Sequence, residues 1–108
     1  MLFMMREGIH PTWEDKRNRD GGCFSYKVGN KNVSEVWKQL AYKVAGENLS
    51  PHAVVRAAIN GVTISPKKNF CILKVWMASC QHQDPKVIDD VDGVARAGCI
   101  FKRHVAAS

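Results

Sequence analysis

The stretch Gly8-Ile9-His10-Pro11-Thr12-Trp13-Glu14-Asp15 sets a large electron-rich ring beside carboxylates in a segment without apolar period. An indole face attracts a flat cationic base through cation–π and stacking forces, and a neighbouring carboxylate can accept two parallel hydrogen bonds from one edge of such a base. Guanine offers that edge, and methylation at its seventh position makes the ring cationic. Trp13 followed by Glu14 therefore suits a methylated guanine better than a plain one. The competing reading is a Trp folded back on the core, and on the dipeptide alone that reading is the stronger.

Other chemistry finds little support. Cys80, His82, Cys99 and His104 carry metal-ligating atoms, but their separations match no compact zinc pattern and no Cys-x-x-Cys occurs, so no metal is expected. No nucleophile–base pair or phosphate-cradling glycine loop is evident, which argues against an enzyme and against a cofactor. The 16 Lys and Arg against 10 Asp and Glu give a formal charge of +6, a balance that favours an anionic partner such as nucleotide phosphate or RNA. At 108 residues, with 45% hydrophobic and 24% charged residues, the chain reads as one domain over 1–108 with a real core. No apolar run approaches the ~20 residues that cross a bilayer, and Met1-Leu2-Phe3-Met4-Met5 meets Arg6-Glu7 too soon for a signal peptide. Cys23, Cys71, Cys80 and Cys99 are then expected as reduced thiols of a cytoplasmic protein.

These groups must be positioned by elements that the pattern outlines. Leu2 to Glu7 reads as a strand and His10 to Asp20 as a loop of mixed charge, with Gly21-Gly22 freeing the backbone to turn. Phe24, Tyr26 and Val28 alternate with Cys23, Ser25 and Lys27, as in a half-buried strand. Ser34 is a candidate cap for a helix to about Ala45, with Val36, Trp37, Leu40, Ala41 and Val44 on the core face and Gly46 as its stop. Ser50-Pro51 leads a short turn over Ala53 to Ala58. Gly61 to Lys67 and Phe70 to Met77 read as strands joined at Pro66-Lys67-Lys68-Asn69. In the second of these, Cys71, Leu73, Val75 and Met77 face the core, and Ile72, Lys74 and Trp76 the opposite side. A second long helix is expected from Asp84-Pro85 to Gly98, then a strand from Cys99 to Val105. The fold class is α+β: a curved antiparallel sheet with two long helices on its convex face and a concave face open for ligand.

The run Leu2-Phe3, Gly8-Ile9, Pro11, Trp13-Glu14-Asp15, Asn18 and Gly21-Gly22 continues with Val36-Trp37, Gly46-Glu47, Gly61 and Val75-Trp76. From about Leu2 to Cys80 it resembles the eukaryotic translation initiation factor 4E family, the mRNA cap-binding proteins of translation. The resemblance implies that Trp13 stacks on 7-methylguanine, Glu14 accepts hydrogen bonds from its Watson–Crick edge, and Trp76 contacts the methyl group. Lys67 stands where the family has a phosphate-gripping Arg, which keeps the charge but loses the planar fork. The family's second phosphate-binding Lys falls on Ile72, and its Arg after the Gly-Gly pair falls on Cys23. Lys68, Lys74, Lys102 and Arg103 are the candidates to compensate, each also readable as solvated surface charge.

In the family, two strands and a helix precede the strand that here begins at Leu2; they carry the second Trp of the base sandwich and the Trp that docks the scaffold subunit. Lys38, Gln39 and Tyr42 replace the Leu-Glu pair and Leu that face that subunit, which argues against scaffold docking. The expectation is a domain truncated at its N-terminus relative to the family, stacking the base on one side, binding capped mRNA weakly, and leaving a sheet edge open to association. Two alternatives stand beside it. One is a family relative turned regulatory or protein-interaction module; the other is a non-specific RNA-binding protein, whose affinity would fall steeply with salt.

Overall fold

In Phe70–Met77 buried and partly exposed residues alternate as far as Val75, and this strand forms the middle of the sheet. The computed structural model describes residues 2–84, 88, 94 and 98–104. Its strands are β1 (Leu2–Met5), β2 (Gly22–Gly29), β3 (Ile59–Pro66), β4 (Phe70–Met77) and β5 (Ile100–Arg103). They form one antiparallel sheet in the order β1-β3-β4-β2-β5. Both expected faces are present. Cys71, Leu73, Val75 and Met77 of β4 are buried with Phe24, Tyr26 and Val28 of β2 and Val62 and Ile64 of β3. Against this face lies helix α2 (Val33–Ala45), whose Val36 and Leu40 are wholly buried. Each such aliphatic side chain removed from water contributes roughly 1.5–3 kcal/mol, so this layer dominates the stability. Trp37, expected in the core, packs only at its margin and is partly buried. The opposite face of the sheet carries Cys23, Lys74, Trp76 and Lys102, and register sets Cys23 directly beside both Trp76 and Lys102.

The structure corrects several boundaries. The segment expected as a plain loop contains a turn of helix, α1 (Lys16–Arg19), and the two outer strands are shorter than predicted, ending at Met5 and Arg103. Helix α2 follows a 3-10 turn, Asn30–Asn32, so Ser34 lies inside the helix and caps nothing. Its end falls where expected, at Ala45 with Gly46 as the C-cap; Gly46 keeps φ −86°, and the left-handed residue is the next one, Glu47 at φ 54°. A non-glycine residue there is strained, and Glu47 is held by Arg6, whose Nη1 lies 3.2 Å from Glu47 Oε1. The same guanidinium donates to the Ile59 and Arg56 carbonyls at 2.7 and 3.0 Å, tying the end of β1 to helix α3 (Ala53–Ala58).

Gly21 and Gly22 are glycine for want of space rather than for flexibility, since neither takes positive φ. A Cβ on Gly21 would overlap the Met77 carbonyl, and one on Gly22 the Lys102 carbonyl and the Phe101 ring. Of the two long helices expected, one is α2; the other, from Pro85 towards Gly98, lies outside the described residues except at isolated positions. Among the described residues no helix is long and apolar enough to cross a membrane.

Candidate functional site

Trp13 sits in a loop that is built rather than slack. Asp15 caps α1 by accepting the Arg17 N–H on Oδ1 and the His10 N–H on Oδ2, each at 2.9 Å. Those two backbone donors hold its carboxyl below the ordinary value of 3.8. Beneath it Asn18 is wholly buried, donating from Nδ2 to the His10 and Thr12 carbonyls at 2.9 Å each. Its Oδ1 accepts Asn60 Nδ2 from the start of β3 at 2.8 Å, and the same Asn60 amide reaches the Arg17 carbonyl at 2.8 Å. The loop is thus nailed to the sheet, and Trp13 projects from it 50% exposed.

Across from it, Trp76 on β4 is only 6% exposed, with its indole N–H donated to Thr63 Oγ1 at 3.0 Å. Its ring packs on His104 with centroids 5.1 Å apart, and Lys74 Nζ stands 5.8 Å from its centroid. Trp13 and Trp76 line one hollow of about 300 Å³. Lys74, Lys102, Arg103 and His104 share its wall, with Cys23 and Ser25 between them. Cys23 is 3% exposed, and burial pushes its thiol up to about 12, so it is a neutral wall group and not a nucleophile. Two aromatic rings beside several cations, with no carboxylate among the described lining residues, make a place for a flat base bearing an anionic tail.

The other predicted site residues fall elsewhere. Glu14 is exposed beside Trp13 and outside the wall of the hollow, with its backbone carbonyl held by Arg19 Nη2 at 3.1 Å. Lys67 and Lys68 are exposed in the β3–β4 turn, which the Lys67 N–H closes onto the Phe70 carbonyl at 2.8 Å. Trp76 is six residues further along β4 from Phe70, roughly 20 Å at ~3.3 Å per residue. The supporting residues Asn18, Asn60, Cys23 and His104 are not among the predicted site residues, although Asn18 belongs to the recurring run, Cys23 falls on the family's Arg after the Gly-Gly pair, and His104 enters the sequence reading only as a metal-ligating side chain. A second cleft of about 230 Å³ lies between β1, the end of α2 and β3, lined by Met4, Val44, Leu49 and Ile59. Of its charged residues, Arg6, Lys43, Glu47 and Arg56, the first and third pair with each other.

Residues 1–96 match the family model described as eukaryotic initiation factor 4E. A translation initiation factor 4E homolog of Acanthamoeba polyphaga mimivirus is 40% identical over 63 residues, 58% of this chain and 23% of the relative. The factor 4E-1 of Schizosaccharomyces pombe is 33% identical over 82 residues, covering 73% of this chain and 36% of its own length. A solved schistosome factor 4E, complexed with m7GpppG and a 4E-binding protein, superposes with TM-score 0.66 at 26% identity. It covers 74% of this chain and 44% of the solved chain. The chain thus spans less than half the length of each of these relatives.

Proposed function

Because this chain belongs to the eukaryotic initiation factor 4E family, we propose that its hollow receives the 7-methylguanosine cap of mRNA and that it binds without performing chemistry. Trp13 stacks on the methylated base, and its half-exposed ring lets an indole face meet a cation. Glu14 accepts hydrogen bonds from the Watson–Crick edge. Trp76, recessed and tied to Thr63, meets only the methyl group. Lys74, Lys102 and Arg103 hold the phosphate chain, while Lys67 and Lys68 add to the basic field that draws RNA in. The observation that carries this reading is that two indoles far apart in sequence line one hollow with three basic side chains.

One stacked ring is worth ~1–3 kcal/mol, so the face of Trp13 supplies a large share of the affinity for the base. Calorimetric titration with 7-methyl-GTP and with GTP tests the proposal. The methylated nucleotide should bind more tightly, and equal affinities would refute it.

A further inference from the structure

His104 has no part in the roles assigned so far, yet one ring touches three walls of the hollow. Its backbone N–H donates to the Gly21 carbonyl at 3.0 Å, which fixes the ring at the end of the sheet. Ring Nδ1 lies 2.6 Å from the Asn18 carbonyl, and because a carbonyl only accepts, Nδ1 carries the proton. In the neutral ring Nε2 is then an acceptor, 3.0 Å from Cys23 Sγ, and the thiol donates to it. The third contact is the Trp76 indole, tilted 44° to the imidazole.

We infer that His104 is a positioning and specificity-determining residue: its neutral ring joins the Trp13 loop to β2 and covers Trp76, and its protonation turns the hollow against a cationic base. A proton on Nε2 removes the acceptor that the Cys23 thiol uses. The thiol cannot compensate by ionising, since burial holds it up at about 12. The charge also arrives without a counterion. The groups facing the ring are Cys23 from β2, Lys74 from β4, and Lys102 and Arg103 from β5, while the loop offers a backbone carbonyl and no carboxylate among the described lining residues. An imidazolium there repels a methylated, cationic guanine and attracts its phosphates. The ratio of 7-methyl-GTP to GTP affinity removes the phosphates, which are common to both, and comparing that ratio with a variant that lacks the imidazole removes the ionisation of the methylated base itself.

The specificity half rests on the cap reading; the positioning half does not. Relative to His104→Gln at the same pH, the wild-type ratio should fall about fivefold on acidification, the scale of one screened repulsion across a partly wet hollow. His104→Gln can donate to Asn18 and accept from Cys23 but does not titrate, so its ratio carries only the ionisation of the nucleotide and serves as the reference. In the ligand-free protein, His104→Phe should speed hydrogen exchange at the His10 and Arg17 amides by about tenfold or more, and His104→Gln should restore slow exchange. A glutamine variant that keeps the wild-type pH slope overturns the specificity role, and a phenylalanine variant with unchanged loop exchange overturns the positioning role. If wild type prefers neither nucleotide at any pH, the cap reading falls with the specificity half, and the exchange comparison still decides the rest.

Discussion

Replacing Asn18 tests whether the Trp13 loop is held by the network or merely lies beside it. Asn18→Ala removes two donated bonds of 2.9 Å and one accepted bond of 2.8 Å from a site with no exposure. Asn60 keeps its bond to Arg17, and the two orphaned carbonyls belong to surface residues that rehydrate in part. With ~1 kcal/mol net for each lost bond and a further penalty for any carbonyl that stays dry, the deficit should be ~2–4 kcal/mol. At a urea dependence of ~1–3 kcal/mol/M this lowers the unfolding midpoint by roughly 1–2 M. Asn18→Asp is the sharper variant. It keeps the shape but turns a carboxylate towards two carbonyl oxygens, so near neutral pH it should be less stable than Asn18→Ala. Burial and those oxygens raise the new carboxyl's pKa above its unfolded value of ~3.9. Its penalty is therefore full above the folded pKa and disappears below the unfolded one. Denaturation of both variants across pH, taken as a difference at each pH, should show the Asp variant recovering as pH falls. An Asp variant as stable as wild type near neutral pH, or one whose deficit relative to Ala grows in acid, would refute the network.

Trp13→Ala should weaken 7-methyl-GTP binding by ~1–3 kcal/mol, roughly 5- to 150-fold by calorimetry, while barely moving thermal stability. Asp15 has a folded pKa below its ordinary 3.8, so its cap contributes fully above that value and is lost as pH falls through the folded pKa; exchange at the His10 and Arg17 amides should accelerate in that acid window and in Asp15→Ala at neutral pH. Gly22→Ala forces a methyl onto the Lys102 carbonyl and the Phe101 ring and should cost ~1–3 kcal/mol in denaturation, with β5 amides exchanging first. Lys74→Ala and Lys102→Ala should each reduce affinity for 7-methyl-GTP but not for 7-methylguanosine nucleoside, whose cationic base loses a repelling neighbour, in the same titration.

The strands were legible because burial on one side imposes a period of two that a single sequence displays. Phe70 to Met77 and Phe24, Tyr26, Val28 are examples, and the stripe of Val36 and Leu40 does the same for α2. The support of the site was not legible. Asn18 sits in a run of charges that looks solvated, and its burial is decided by Asn60, 42 positions away, and by His104, 86 positions away. Gly46 does end α2, as its residue type indicates, but the left-handed conformation usual for such a glycine falls one residue later on Glu47, with Arg6 bound to it, a pairing that no local pattern displays. Lys67 was placed at the site through the family correspondence. The Lys67-to-Phe70 turn instead carries it to the end of the hairpin away from Trp76.

The three indoles occupy three grades of exposure: Trp13 at 50%, Trp37 at the core margin, and Trp76 at 6%. Water relaxes around an excited indole only where it reaches the ring, so their emission bands separate, with Trp13 furthest to the red. Emission collected on the red side therefore weights the residue assigned to the base, and the bluer emission from the other two serves as an internal reference. The protein carries its own dye at the mouth of the hollow, and no label is needed to follow it.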